Sequence, residues 1–205
     1  MKLFLTSQAS KMMNKITTML PKKPSEMKLA FIPTAGNLKK ERPGQEADRA
    51  KLIELGFEIT DFDLEDTTET EVREFLNEID ITLVAGGNTF YLLEKANKSG
   101  FTKVIKELKD SDKIYIGSSA GSILAGPNVE SAGWGWELGW GDDNFLKLKD
   151  TAGLRLVNFA AYPHFTEEQR GLMESKAKEV NYPIIPITDE QMVIVKDGEY
   201  QIFSL

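Results

Sequence analysis

The sequence predicts an α/β fold, a mostly parallel sheet covered by helices on both faces and ending in a C-terminal β-hairpin. Up to Ala125, short apolar strands alternate with amphipathic helices, which is the pattern of βαβ units. One strand, residues 81–85, is apolar almost throughout, as expected when both faces of a sheet are covered. The last segment reads as two strands around Asp197-Gly198, a turn typical of hairpins.

The elements of the first part follow from this alternation. Ser7 can cap the first helix, which prolines at 21 and 24 end. Strands are predicted at residues 3–5, 29–33, 57–64, 81–85 and 113–117, with helices after Ser7, before Gly56, and over 70–79, 89–95 and 102–108. The helix before Gly56 has a predicted inward face of Ala47, Ala50, Leu52, Ile53 and Leu55.

The pattern changes at Gly126. From there to Gly153 the chain is rich in glycine and aromatic residues and has no helical period. A strand over 155–161, a helix over 166–180 and a strand over 183–187 follow, and then the hairpin over 191–203. Because no segment resembles a linker, residues 1–205 are expected to form a single domain.

Composition excludes several classes of protein. The chain has 25 basic and 32 acidic residues, a net charge of −7, which disfavours a nucleic-acid or membrane-surface partner. It has no cysteine and one histidine, which excludes thiolate and multi-histidine metal sites, and no organic cofactor is indicated. With no targeting segment and no long apolar run, a cytoplasmic protein is expected.

Residues 117–121 read Gly-Ser-Ser-Ala-Gly and match the pattern G-x-S-x-G. An apolar strand precedes them and a helix can begin after them, which is the context in which a tight turn exposes the central serine. Ser119 is therefore a candidate nucleophile, and the amide of Ala120 would point at an oxyanion beside it. The alternative is an ordinary turn of small residues.

A serine nucleophile needs a base, and His164 is the only histidine in the chain. It follows a predicted strand and precedes a helix, so it also lies at a sheet edge. Gly86-Gly87-Asn88 follows another strand and opens a helix, where free amides can bind an anion. The loop lacks the residues of a P-loop or a dinucleotide site.

The loop from Trp134 to Trp140 contains all three tryptophans and suggests a wall of a substrate cleft or a homodimer contact, with packing in the core as the alternative. Three acidic residues nearby, Glu137, Asp142 and Asp143, could each orient the imidazole of His164. The local sequence does not choose between them.

Taken in order, Gly-Gly-Asn-Thr-Phe, the Gly-x-Ser-Ala-Gly turn and Pro-His-Phe resemble the aspartyl dipeptidase (peptidase E) family, to which cyanophycinase is related. The resemblance covers nearly the whole chain. It implies a flavodoxin-like αβα sandwich, similar to class I glutamine amidotransferases, and a serine peptidase of short peptides. By position it makes Ser119 the nucleophile and His164 the base, with the oxyanion hole at Gly87 and Ala120.

Two positions depart from the family pattern. The triad aspartate of the bacterial dipeptidases falls on Trp134, whereas the glutamate of cyanophycinase-like members falls on Glu137, so a Ser119–His164–Glu137 triad is predicted. Asp142 or Asp143 is the fallback. The arginine that binds the aspartyl side chain in the dipeptidases falls on Glu167, and only Arg170 matches the second arginine of that motif, so the resemblance does not carry aspartyl-X specificity over to this chain.

The predicted substrate-binding residues are Asn88, Trp136 and Arg170. A small esterase of similar triad chemistry, or a non-catalytic binder of peptides or small molecules, are the alternative functions.

Overall fold

A computed structural model describes all 205 residues. Seven strands form one sheet and two form a separate pair. No helix has the length and apolar character that crossing a membrane requires. The strands are β1 (Lys2–Thr6), β2 (Lys28–Ile32), β3 (Glu58–Asp61), β4 (Ile81–Val84), β5 (Ile114–Ser118), β6 (Ala160–Tyr162), β7 (Ile184–Pro186), β8 (Gln191–Lys196) and β9 (Glu199–Ser204). The α-helices are α1 (Ala9–Thr17), α2 (Pro43–Glu54), α3 (Glu69–Asn77), α4 (Thr89–Lys98), α5 (Phe101–Glu107), α6 (Ala120–Leu124) and α7 (Arg170–Ala177).

The large sheet has the order β3-β2-β4-β5-β1-β8-β9. Strands β1 to β5 are parallel, and the hairpin of β8 and β9 is antiparallel to them on the side of β1. Leu5 of β1 lies between Gly117 of β5 and Val193 of β8. The loops after β1, β2, β4 and β5 therefore meet at one edge of the sheet.

Two hydrophobic cores lie on opposite faces of this sheet. Side chains alternate across a strand, so Phe4 of β1 enters a core of 16 residues under α1 and α2. Its neighbours Leu3 and Leu5 enter a core of 33 residues that includes side chains of α3 to α6. Because the chain leaves β1 and β5 toward opposite faces, a crevice opens between them at the carboxyl edge.

The predicted fold class is confirmed, including the hairpin at the C-terminus. The predicted inward face of α2 is partly wrong. Leu52 is fully buried, but Ile53 is 61% exposed, and the polar residues Gln45 and Asp48 are buried instead. They are buried because this side of α2 forms the wall of a polar cleft.

Several elements are shorter than predicted, among them the strand predicted over 57–64, which is observed as β3 at Glu58–Asp61. Of residues 155–161 only the last two belong to β6, because the amides of Leu154, Arg155 and Leu156 donate to carbonyls of residues 124–126 rather than to a strand. The helix predicted over 166–180 begins with a 3₁₀ turn, Glu167–Gln169, where the Thr166 amide donates to Gln169 Oε1 at 2.9 Å, and α7 ends at Ala177.

Candidate active site

Ser119 occupies a sharp turn between β5 and α6. Its backbone has φ 50° and ψ −108°, in a region that non-glycine residues seldom occupy. Three hydrogen bonds fix the turn: the Ser119 amide donates to the Thr6 carbonyl at 3.0 Å, Thr6 Oγ1 donates to the Gly117 carbonyl at 2.8 Å, and Ser122 Oγ donates to the Thr6 carbonyl at 2.7 Å. The turn presents the Ser119 side chain to a cleft at the carboxyl edge of the sheet.

Close backbone contacts require both glycines of this turn. A Cβ at Gly121 would collide with the carbonyl oxygen of Val84 in β4. A Cβ at Gly117 would lie 2.6 Å from the amide nitrogen of Ser122. The glycines thus allow α6 to begin directly above β4 and β5, which places Ser119 at the start of a helix.

His164 faces Ser119 from the loop after β6. Its Nε2 lies 3.0 Å from Ser119 Oγ, within hydrogen-bonding distance. The backbone of His164 has φ 57° and its amide donates to Ser7 Oγ at 3.0 Å. Ser7 Oγ donates in turn to the Ile187 carbonyl at 2.8 Å. These bonds hold the half-exposed imidazole beside the serine hydroxyl.

Asp189 binds the other ring nitrogen of His164, although no motif in the sequence singles it out. Its Oδ1 lies 2.7 Å from His164 Nδ1, and its Oδ2 lies 3.7 Å from Lys11 Nζ. Asp189 stands on the turn between β7 and β8. Strands β6 and β7 pair in parallel, so the loops that carry His164 and Asp189 leave the same edge. The sequence predicts both strands but not their pairing, so it contains no local signal for Asp189.

Glu137 does not orient His164 in the structure, which corrects that prediction. It lies on an exposed turn, Trp136–Leu138, and both ring nitrogens of His164 have other partners. Trp134, at the position of the dipeptidase aspartate, is buried in an apolar cluster with Tyr162, Phe165 and Met173. Because position 134 is a tryptophan packed behind the histidine loop, it supplies no acid to the imidazole of His164.

Asp142 and Asp143, the fallback acids, bind the start of α4 instead. Asp142 Oδ2 accepts from the Thr89 amide at 2.8 Å and from Thr89 Oγ1 at 2.6 Å. Burial raises the pKa of the Asp142 carboxyl, and the two bonds from Thr89 oppose that rise. Asn88 donates to the Asp143 carbonyl at 2.9 Å and caps α4 by accepting from the Tyr91 amide. The side chain of Asn88, a predicted substrate contact, thus makes its hydrogen bonds within the protein and stabilises the loop between β4 and α4.

The amides of Gly87 and Ala120 make no hydrogen bond within the protein. Ala120 begins α6, where amides have no partner inside the helix. Gly87 has φ 145°, and a Cβ there would collide with the Ala35 carbonyl. A Cβ at Gly86 would lie 3.2 Å from Ser119 Cβ, so this loop packs against the serine. Free amides on the two loops at the serine suit binding of an oxyanion.

A cleft of about 340 Å³ opens at Ser119 and His164. Its lining consists of polar and charged side chains, glycines, one proline and the imidazole of His164. Asp48 of α2 lies in its wall, is 1% exposed and accepts from the Ser10 amide at 2.7 Å. Burial raises the pKa of Asp48, against the effect of the hydroxyl of Ser118. The lining suits a small polar ligand, and no cluster of three or more acidic or histidine side chains is placed to hold a metal ion.

Arg170 and Trp136, the other predicted substrate contacts, are not part of the cleft lining. Arg170 donates to Glu167 from Nε at 2.7 Å and from Nη2 at 2.8 Å, and its guanidinium lies over the Phe165 ring. Trp136 is half-exposed, with Leu138 and Trp140 exposed beside it in the chain. The structure describes one chain, so a homodimer contact at this loop stays a prediction.

The αβα layers and a serine on a strand–helix turn, within reach of a histidine, define an α/β protein with a hydrolase-type site. Comparison with known proteins identifies the family. The model of Peptidase family S51 matches residues 3–203, and the chain belongs to that family.

The relatives agree with this assignment. The uncharacterized peptidase PM1590 of Pasteurella multocida (strain Pm70) is 28% identical over 174 residues, which cover 82% of this chain and 81% of the relative. Peptidase E of Nostoc sp. (strain PCC 7120) is 28% identical over 142 residues, covering 69% of this chain and 54% of the relative. The crystal structure of a candidate peptidase E protein from Listeria monocytogenes EGD-e superposes with a TM-score of 0.86 at 27% identity, covering 100% of this chain and 98% of that one. The resemblance to peptidase E is therefore confirmed, and peptidase activity is supported.

Proposed function

We propose that this protein is a serine peptidase that hydrolyses short peptides through an acyl-enzyme, with Ser119 as nucleophile, His164 as base and Asp189 as the acid. The observation that carries the proposal is the continuous line of contacts from Ser119 Oγ to His164 Nε2 and from His164 Nδ1 to Asp189 Oδ1. Family membership supports the reaction class.

In the first half-reaction Ser119 Oγ attacks the carbonyl carbon of the scissile bond while His164 Nε2 takes its proton. The amides of Gly87 and Ala120 stabilise the negative oxygen that develops. The C–N bond then breaks as His164 returns the proton to the leaving amine, and an ester to Ser119 remains. Asp189 keeps the Nδ1 proton in place and stabilises the imidazolium.

In the second half-reaction water attacks this ester. His164 takes a proton from the water and gives it to Ser119 Oγ as the C–O bond breaks, so the enzyme returns to its starting state. The cleft limits the substrate, because about 340 Å³ lined by polar and charged residues suits a peptide of a few residues rather than a folded protein.

The alternative of a non-catalytic binder arises from the missing acid at position 134. Asp189 supplies a carboxylate at His164 Nδ1, so that reason no longer applies. The alternative of an esterase shares the triad chemistry and differs in the substrate. It is therefore an outcome of the test rather than a separate proposal.

A fluorophosphonate probe tests the nucleophile, and a panel of dipeptides and short acyl esters tests the substrate. We expect the wild type to be labelled, Ser119→Ala to lose labelling without loss of thermal stability, and Ser175→Ala, an exposed serine of α7, to label like the wild type. We expect serine-dependent cleavage of dipeptides to exceed that of esters.

Efficient ester cleavage with no peptide cleavage would favour the esterase. Absence of both labelling and turnover, in protein shown to be folded, would favour the binder and refute the proposal.

A further inference from the structure

We propose that Gln45 is a positioning residue of this site. Its side-chain amide fixes the peptide bond between Gly86 and Gly87 so that the Gly87 amide is directed into the oxyanion hole. The inference rests on the proposed peptidase function and deepens it. It assigns a role to a residue that acts through the oxyanion loop rather than on the substrate, and it explains why α2 buries a glutamine.

Gln45 lies in the first turn of α2 and is 8% exposed. Its Nε2 donates to the Gly86 carbonyl at 2.7 Å and to the Pro33 carbonyl at 2.9 Å. Because both partners are carbonyl oxygens, which only accept, the nitrogen end of the side chain must face them. The glutamine thus ties the loop after β2 to the loop after β4 in the wall of the cleft.

The Gly86 carbonyl and the Gly87 amide belong to one planar peptide unit, in which the C=O and the N–H point in opposite directions. A bond that holds the carbonyl against Gln45 therefore also fixes the direction of the Gly87 N–H. That N–H has no partner in the protein. Gly86 itself packs against the nucleophile, since a Cβ there would lie 3.8 Å from Ser119 Oγ. The free donor therefore points away from the glutamine, on the loop that meets the serine.

This peptide unit can rotate unless a contact holds it. It has a glycine on each side, and Gly87 has φ 145°, a conformation that other residues rarely adopt. Rotation by half a turn would exchange the two groups and place the Gly86 carbonyl oxygen where the N–H now points. A carbonyl oxygen there would repel the negative oxygen of the tetrahedral intermediate instead of stabilising it. The hydrogen bond from Gln45 opposes this rotation.

The space that Gln45 occupies depends on Gly36. A Cβ at Gly36 would lie 2.4 Å from Gln45 Nε2, so an alanine there would displace the side-chain amide. The Gly36 amide donates at 2.9 Å to the Pro33 carbonyl, which also accepts from the glutamine. Gly36 therefore offers a second way to disturb the contact, one that leaves the glutamine in the chain.

Gln45→Met keeps the size of the side chain and removes its donor. We expect kcat on the best dipeptide to fall about 10- to 100-fold and KM to change less than about threefold, because the negative oxygen develops only in the transition state. The rate of fluorophosphonate labelling should fall in parallel, since the phosphoryl oxygen of the probe takes the place of the oxyanion. Gly36→Ala should act in the same direction and serves as the test if Gln45→Met does not fold.

Asn128→Leu is the matched control. Asn128 is half-buried, accepts from the Glu130 amide at 2.7 Å and does not line the cleft. The variant loses a hydrogen bond between a side-chain amide and the backbone but should keep the kcat and the labelling rate of the wild type. A loss of kcat as large as that of Gln45→Met would overturn the inference, because general loosening of the fold would then explain both.

The orientation of the peptide can be observed without turnover, in crystal structures of the wild type and of Gln45→Met. We expect the peptide between Gly86 and Gly87 to rotate in the variant, or to occupy both orientations, while the turn of Ser119 stays in place. That result would support the inference even if the wild type hydrolysed no peptide, an outcome that would count against the proposed function alone. The inference is overturned if the peptide keeps its orientation in Gln45→Met, if kcat and labelling stay within about twofold of the wild type, or if only KM changes.

Discussion

In the proposed mechanism Asp189 assists His164 through its position and not through a charge buried away from water. One oxygen meets His164 Nδ1 and the other faces Lys11, and both His164 and Asp189 are partly exposed to water. An ion pair exposed in this way adds little free energy of its own. What the carboxylate provides is a fixed tautomer, with the proton on Nδ1 and the lone pair of Nε2 directed at Ser119.

We therefore expect Asp189→Asn to lower kcat at least about 100-fold, because an amide can donate to Nδ1 and so stabilise the wrong tautomer. Glu137→Gln should change kcat less than twofold. Both are measured on the best dipeptide together with the rate of fluorophosphonate labelling. Equal losses in the two variants would return Glu137 to the mechanism.

Glu65 connects the start of α4 to the loop that leads to the cleft. It accepts from the Tyr91 hydroxyl at 2.7 Å and from Asn37 at 3.0 Å and pairs with Lys95. These contacts, that of Tyr91 first, lower the pKa of Glu65 to about 2. A lowered carboxyl pKa stabilises the fold above the ordinary value near 4.5, and this stabilisation is lost as the pH falls toward 2.

Glu65→Gln is thus expected to lower the free energy of unfolding at pH 7, by less than about 1 kcal/mol because the pair is partly exposed. The difference from wild type should shrink as the pH falls below 4.5. Urea unfolding across this pH range measures it, with Glu58→Gln, an exposed acid without an ion pair, as control. A difference that does not change with pH would show that packing, not charge, is responsible.

Ser119 and His164 are predictable from local sequence because each follows a recognisable strand and precedes a helix. Asp189 is not, because a lone Thr-Asp-Glu turn carries no motif and its role depends on which strand pairs with β7.

At the scale of elements, the strand–turn–helix around Ser119 is the most constrained unit. Its conformation depends on backbone approaches that any side chain at Gly117 or Gly121 would block. In α2, by contrast, the neighbouring elements and not close backbone contacts decide which side chains are buried. Hydrophobic periodicity predicts Ile53 inside, yet the helix turns Gln45 and Asp48 inward, because a polar cleft rather than a core lies beside its first half.

Gly121→Ala should lower the free energy of unfolding by about 2 kcal/mol or more, because the Cβ of the new alanine must displace the carbonyl of Val84. Gly171→Ala, within α7 where a Cβ meets nothing within 4 Å, should be neutral or stabilise by up to about 1 kcal/mol. Thermal and urea unfolding measure both. A tolerated Gly121→Ala with full labelling would mean that the turn has more room than this packing allows.

At the scale of the whole molecule, the site is assembled from distant parts of the chain. Ser7 follows β1, Ser119 follows β5, and His164 and Asp189 follow the separate pair β6 and β7. Ser7 links the pair to the sheet, because its hydroxyl accepts from the His164 amide and donates to the Ile187 carbonyl, and the pair also packs into the larger core. Sequence alternation predicts the layers but not this order, because strand neighbours are set by long-range packing.

We expect loss of fluorophosphonate labelling to coincide with global unfolding in urea, followed by circular dichroism, because no one segment carries the whole site. Ser7→Ala should instead separate the two transitions, with labelling lost at lower urea concentration, since the loop of His164 would detach first. Coincident transitions in Ser7→Ala would show that this hydroxyl is dispensable.

Trp134 has a consequence for how such a site can change over time. Its indole fills the apolar cluster behind the histidine loop, with Tyr162 at a ring distance of 6.0 Å. An aspartate substituted there would leave a cavity and an unpaired charge in an apolar surrounding. On the proposed mechanism, a single Trp134→Asp substitution would therefore not move the triad acid to position 134, and the site depends on the turn that carries Asp189.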